Sequence, residues 1–155
     1  MATHDKDALV FKNILFPTDC SEGSEGAAAC ALSLAGAYGA KLFVLHVVDI
    51  SLEPSGFYVP HMSYEKLDKE GESAEAKLLR KYCARVFRGF MEFESIILSG
   101  EPHKEILKVA DEKDIDVIVM GSGARGGVDR LFFGSTAEKV LKKSTVPVLV
   151  IPPSS

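Results

Sequence analysis

The stretch that decides the fold is VIVMGSGARGGVDRLFFGSTAEKV, Val117 to Val140. It opens with an apolar β-like run and breaks at Gly121 into a glycine-rich turn. Ser135-x-x-Glu138 then has the form of a capping box at the head of a helix. A strand that runs through a turn into a helix is the repeating unit of a parallel sheet.

Working outward, the same unit recurs along the chain. Asn13–Phe16 (NILF) reads as a strand stopped by Pro17, followed by a helix of small residues from Ala27 to Ala37 that ends at Gly39. Lys41–Val48 (KLFVLHVV) is apolar at nearly every position, as a strand covered on both faces must be. Residues 49 to 61 contain Pro54, Gly56 and Pro60 and read as a loop. A long amphipathic helix is expected from about Ser63 to Phe87, with Leu67, Gly71, Ala74, Leu78, Tyr82 and Val86 on its apolar face. Phe93–Leu98 is a third strand, and Glu101–Glu112 a short helix with Pro102 in its first turn. Asp116–Gly121 is the fourth strand, and Pro147–Ile151 the fifth, ended by Pro152 and Pro153. The expectation is an α/β fold: a doubly wound five-stranded parallel sheet with helices on both faces, in a single domain over residues 1–155.

Composition narrows the classes. Of 155 residues, 46% are hydrophobic and 26% charged, a mix that suits a soluble globular domain. The formal net charge of -4 opposes a nucleic-acid or anionic-membrane surface. Cys20, Cys30 and Cys83 form no C-x-x-C pair, so neither a zinc site nor a redox dithiol is expected, and a reducing compartment fits them. The N-terminal stretch is too polar for a signal peptide, and no apolar run approaches the ~18 residues of a membrane span. A cytoplasmic location is expected.

In doubly wound sheets ligands bind beyond the carboxyl ends of the strands, where the strand order reverses. That address holds Pro17-Thr18-Asp19-Cys20-Ser21, Asp49 and the glycine stretch. Gly121, Gly123 and Gly126 stand at literal G-x-G-x-x-G spacing, yet the dinucleotide fingerprint fails here. The helix starts at Ser135, beyond the motif, and no carboxylate follows at the ribose position. A P-loop fails as well, because Gly127 and Val128 occupy the Lys and Ser/Thr positions. What survives is a paired cradle: backbone N–H groups of the turn and of the Gly134-Ser135-Thr136 helix start, with Arg125 or Arg130 adding a charged contact to phosphate. The same residues also describe a tight turn and an ordinary helix cap.

Gly121 and Gly134-Ser135 together resemble the G-x-x-G, nine residues, G-[ST] pattern of the universal stress protein family. The resemblance extends to ILFPTDCSEGS (Ile14–Ser24), LHVVD (Leu45–Asp49), GEPHKEIL (Gly100–Leu107) and VPVLVIP (Val146–Pro152). It implies strand order 3-2-1-4-5 and a crevice between strands one and four. By the same resemblance, Asp19 contacts the ribose side of an adenine nucleotide, with Thr18 also among the nucleotide-binding residues, and Val47 offers backbone atoms to the adenine with Met120 beside it. Gly121, Gly123, Arg125, Gly134, Ser135 and Thr136 would hold the phosphates. ATP or a related nucleotide is the implied ligand, with Mg²⁺ or Mn²⁺ entering only through it.

One position departs from the family pattern: Ala124 stands where the second glycine belongs. A positive φ there would be strained, and a requirement for close approach would crowd a phosphate. The alternative function is therefore a scaffold dimer of the same fold that takes no nucleotide. The last strand is short, apolar and at an edge, and the resemblance implies its antiparallel pairing in a homodimer through Val146–Ile151. No catalytic or metal-ligating constellation is evident; any ATP hydrolysis would be slow. A small-molecule enzyme using Asp19 and Arg125 is a third reading. His46, within a buried strand, reads as a hydrogen-bonded core histidine, and Asp111–Asp116 as a solvated turn.

Overall fold

The computed structural model describes residues 8–50, 73–90, 92–123 and 133–153. Five strands, β1 (Asn13–Pro17), β2 (Lys41–Asp49), β3 (Phe93–Gly100), β4 (Val117–Gly121) and β5 (Val148–Ile151), form one sheet in the order β3-β2-β1-β4-β5. Every neighbouring pair is parallel. Four helices cross over between them: α1 (Glu25–Tyr38), α2 (Ala74–Phe87), α3 (Pro102–Glu112) and α4 (Ser135–Lys143). This is the expected doubly wound sheet.

Strand periodicity sorts the core into two faces. Ile14, Phe16, Leu42, Val44, Ile97, Val117 and Val119 pack with residues of α1 and α2. The alternate residues Leu15, Phe43, Leu45, Ile96, Leu98, Ile118 and Met120 pack with α3 and α4. Small side chains let α1 lie close on its face: Ala27, Ala28, Ala31 and Ala35 are all buried. Gly39 ends that helix at φ +60°, a left-handed conformation that costs glycine little.

Two expectations need correction. The helix before β3 begins at Ala74, where the Ser73 side chain accepts the Ala76 N–H at 3.2 Å as an N-cap; residues 63–72 lie outside the described residues. Its buried face is Ala76, Leu79, Tyr82, Cys83 and Phe87; of the expected line, Tyr82 is buried and Val86 packs half-buried against the core, whereas Ala74 and Leu78 are exposed. A strict four-residue step accumulates more than one full turn per step and drifts around the cylinder. The alternation of three and four follows the sheet instead. Leu78 is left 47% exposed, whereas Leu79 is 0% exposed.

The acidic turn before β4 is more than solvated. Asp116 Oδ2 accepts the N–H groups of Lys12 at 2.7 Å and Asn13 at 2.9 Å, tying the start of β1 to the start of β4. Among the described residues, no helix is long and apolar enough to cross a membrane.

The corrected helix face makes a direct prediction. Leu79→Ala should destabilise the protein by about 2–5 kcal/mol, and Leu78→Ala by less than about 0.5 kcal/mol, in denaturant unfolding. Equal costs would mean the helix is rotated from the orientation seen here.

Candidate functional site

The sheet reverses its winding between β1 and β4. The chain leaves β1 towards the α1 face and leaves β4 towards the α4 face, so the two turns separate around a crevice. β2 runs on to Asp49, beyond its last β1 partner at Leu45, so the β1-facing edge at Val47 has no β1 partner. Val47 packs against the same apolar cluster that contains Met120.

The turn after β1 is bound almost wholly by its own hydroxyls. Asp19 Oδ1 accepts both the N–H of Ser21 at 3.0 Å and its Oγ at 2.6 Å, which leaves Oδ2 without a partner among the described residues. Cys20 has φ +64°, a left-handed conformation that costs a non-glycine residue about 1–3 kcal/mol. Its N–H donates to Thr18 Oγ1 at 3.0 Å. Below the turn, Ser24 Oγ lies 2.9 Å from Thr18 Oγ1 and 2.6 Å from the Tyr82 hydroxyl, and donates to the Ser21 carbonyl at 2.8 Å. Burial pushes the Tyr82 phenol up, against the opposing effect of its hydrogen bonds to Ser24 and Thr18. His46 is half-buried, with Nδ1 2.9 Å from the Thr18 carbonyl, so this nitrogen carries a proton.

On the β4 side, the glycines divide by role. Gly123 has φ +74°, and a Cβ there would stand 3.4 Å from Gly134 Cα. A Cβ on Gly134 would stand 3.2 Å from both Cα and the carbonyl oxygen of Gly123, so the two backbones touch. The Gly134 N–H donates to the Ser122 carbonyl at 2.7 Å, and the Ser122 N–H to the Ile151 carbonyl at 2.9 Å. Among the described residues of this stretch Gly123 is left-handed, so its glycine is a backbone requirement. Gly121 is different. Its φ is not left-handed, and among the described residues an added Cβ would meet nothing closer than Ser24 Cα at 3.8 Å.

The capping box at Ser135 is not formed. Gly134 is the N-cap residue of α4, it makes no side-chain capping bond, and Ser135 is the first helical residue. Glu138, instead of reaching back to the helix start, pairs forward with Lys142 at 2.8 Å. The N-cap position of α4 thus supplies no side-chain cap to the first-turn N–H groups. Ser135 is exposed and Thr136 half-buried in that turn.

Thr18, Asp19, Val47, Met120, Gly121, Gly123, Gly134, Ser135 and Thr136 all stand at the carboxyl ends of β1, β2 and β4 or at the amino end of α4. Arg125, with Ala124, Gly126 and Arg130, lies outside the described residues. Ser21 stands in the expected site turn, but its bond to Asp19 was not anticipated, although D-x-S is a recognisable side-chain turn signal. Ser24 and Tyr82 carry no such signal, being 58 residues apart in sequence. Among the described residues, no group of three His, Cys, Asp or Glu side chains could hold a metal ion.

With this geometry in place, comparison with known proteins is specific. Residues 11–152 match the universal stress protein family, and the chain belongs to it. It is 34% identical over 146 residues to the universal stress protein MJ0531 of Methanocaldococcus jannaschii, covering 92% of this chain and 82% of that protein. A universal stress protein solved in complex with cAMP superposes with a TM-score of 0.68 at 23% identity, covering 94% of this chain and 99% of the other. The universal stress protein of Archaeoglobus fulgidus solved with dAMP gives a TM-score of 0.62 at 23% identity, covering 92% and 98%. At that identity the two solved structures establish the shared fold.

The thiol in the β1 turn is inert by its surroundings. Burial first, then the neighbouring Cys83 and Asp19, push the Cys20 thiol from its ordinary 9.0 up to about 12. With Cys30 and Cys83 replaced by Ser, Cys20 should react with iodoacetamide at pH 8 at least about a hundredfold more slowly than free cysteine, since only the thiolate attacks. A rate equal to that of free cysteine would show that the turn does not shelter it.

Proposed function

We propose that this protein is a stress-response regulator that binds ATP or a closely related adenine nucleotide in the crevice between β1 and β4, as a dimeric ligand switch. The observation that carries the proposal is Gly121. Neither backbone conformation nor a neighbour among the described residues requires glycine there, yet the residue ends the strand at the crevice, where a side chain would occupy ligand space.

Two further features match an anionic nucleotide. The N-cap residue of α4, Gly134, supplies no side-chain cap, and the positive end of the helix dipole favours phosphate. Ser135 and Thr136 stand in that turn and can donate hydroxyls, while Arg125 follows Gly123 and Ala124 in the segment leading to it. The Gly134 N–H is already given to Ser122, so the contribution of Gly134 is close backbone approach rather than a donor. Across the crevice, Asp19 has one carboxylate oxygen held by Ser21 and the other available to ribose hydroxyls, beside Thr18. Val47 and Met120 supply an apolar seat with an open strand edge for the base. Mg²⁺ or Mn²⁺ would arrive on the nucleotide's phosphates. The cAMP and dAMP complexes of the same fold indicate the ligand class; the residues of this chain supply the fit.

Calorimetry with ATP and Mg²⁺ on the folded protein should give saturable binding. Gly121→Ala should keep stability within about 0.5 kcal/mol of wild type while weakening ATP at least about tenfold. No saturation by wild type at millimolar ATP would sink the nucleotide reading and leave the nucleotide-free scaffold.

For assembly, β5 pairs only with β4 among the described residues, which leaves its outer edge without a strand partner there, and Leu149 is 39% exposed on it. Antiparallel pairing of Val146–Ile151 with a second copy would cover that edge. Sedimentation should show a dimer at micromolar concentration, and Leu149→Lys should shift it to monomer with the fold retained. A wild-type monomer overturns the dimer.

A further inference from the structure

The hydroxyl of Ser24 has one proton and room to accept two, and all three places are filled. Its proton goes to the Ser21 carbonyl, since a carbonyl can only accept. The contacts to Thr18 and Tyr82 must therefore be received by Ser24, with both partners donating. Thr18 Oγ1, having given its proton to Ser24, is then correctly set to accept the Cys20 N–H. The direction of every bond in the group follows from that one carbonyl.

Tyr82 belongs to α2, whereas the other members lie on the turn between β1 and α1. Its ring is held independently of the hydroxyl: it stacks on Phe16 with centroids 6.5 Å apart, and the Arg85 guanidinium lies 5.5 Å from its centroid. Arg85 in turn pairs with Glu25 at the start of α1, at 2.9 Å. The phenol oxygen is thus aimed at Ser24 by a rigid mount. Only one residue of the turn, Cys20, has a left-handed backbone, and Asp19 is directly before it. A turn with such a residue holds its shape only when its surroundings over-determine it.

We propose that Tyr82 is a positioning residue for the crevice: its phenol orders the hydroxyls of Ser24 and Thr18, and through them the left-handed turn that presents the Asp19 carboxylate. The part of this that concerns ligand affinity rests on the nucleotide reading above; the part that concerns the turn does not. The device couples α2 to the crevice without touching the ligand.

The test is Tyr82→Phe in the full chain, which deletes one oxygen and keeps the ring. Amide hydrogen exchange at Cys20 and Ser21 should quicken about three- to tenfold, the scale of one net hydrogen bond, and the Kd for ATP should rise by a similar factor. Phe87→Leu, a core change on the same helix outside the hydroxyl group, should lower the thermal midpoint while leaving exchange at Cys20 at the wild-type rate. Unchanged exchange at Cys20 in Tyr82→Phe overturns the proposal, as does quickened exchange with an unaltered Kd in a protein that binds ATP. If wild type binds no ATP but exchange still quickens, the nucleotide reading falls and the positioning of the turn stands. Should Tyr82→Phe fail to fold, Ser24→Ala removes the acceptor of the same bond and is read by the same exchange and affinity measurements.

Discussion

The central strand β1 is the constraint on which the structure depends. It is paired on one edge with β2 and on the other with β4, and Ile14, Leu15 and Phe16 are completely buried between the two helix layers. A strand so enclosed leaves its C-terminal turn one way out, over the α1 face. The chain returning from β4 must leave over the opposite face, because the right-handed crossover places α4 there. The crevice is a consequence of that parting rather than a separate construction, and the side chains that matter at it are those the two turns bring together.

On the β4 side, the parting is closed by contact between two glycine backbones. Gly123 and Gly134 approach so nearly that a methyl group on either would be tight, and the bond from Gly134 to Ser122 locks the approach. Family spacing draws attention to Ala124 as the residue that breaks the pattern; among the described residues of this stretch, Gly123 has the left-handed conformation that glycine adopts at little cost.

The β1 side solves the opposite problem with polar groups. A left-handed cysteine would be a weak point in an apolar setting, and a buried hydroxyl with no partner would be costly. Thr18, Ser24 and Tyr82 answer both by satisfying one another completely, with the protons arranged in one direction. Beside the thiol, His46 Nδ1 is 3.9 Å from the sulfur and donates to the Thr18 carbonyl, so that nitrogen is not a base for it.

What the sequence determined by itself was the architecture. Apolar runs of strand length, Pro17 and Pro152 after strands, and Pro102 at a helix start are local signals with local causes, so the alternation and the crevice's address were legible. So were Thr18, Asp19, Gly121 and Gly134. The helix before β3 was legible in kind but not in face: burial of Leu79 rather than Leu78 depends on where the sheet stands, not on the helix's own residues. The capping box failed for a related reason, since the helix start is set by the Gly134 bond to Ser122 and not by the side chain of Ser135. Tertiary structure alone decided that Tyr82 meets Ser24, that Asp116 ties down Lys12 and Asn13, and that Gly123 carries the left-handed turn. Each joins segments far apart in the chain, and no periodicity records a hydrogen bond that forms only after the sheet has brought its partners together.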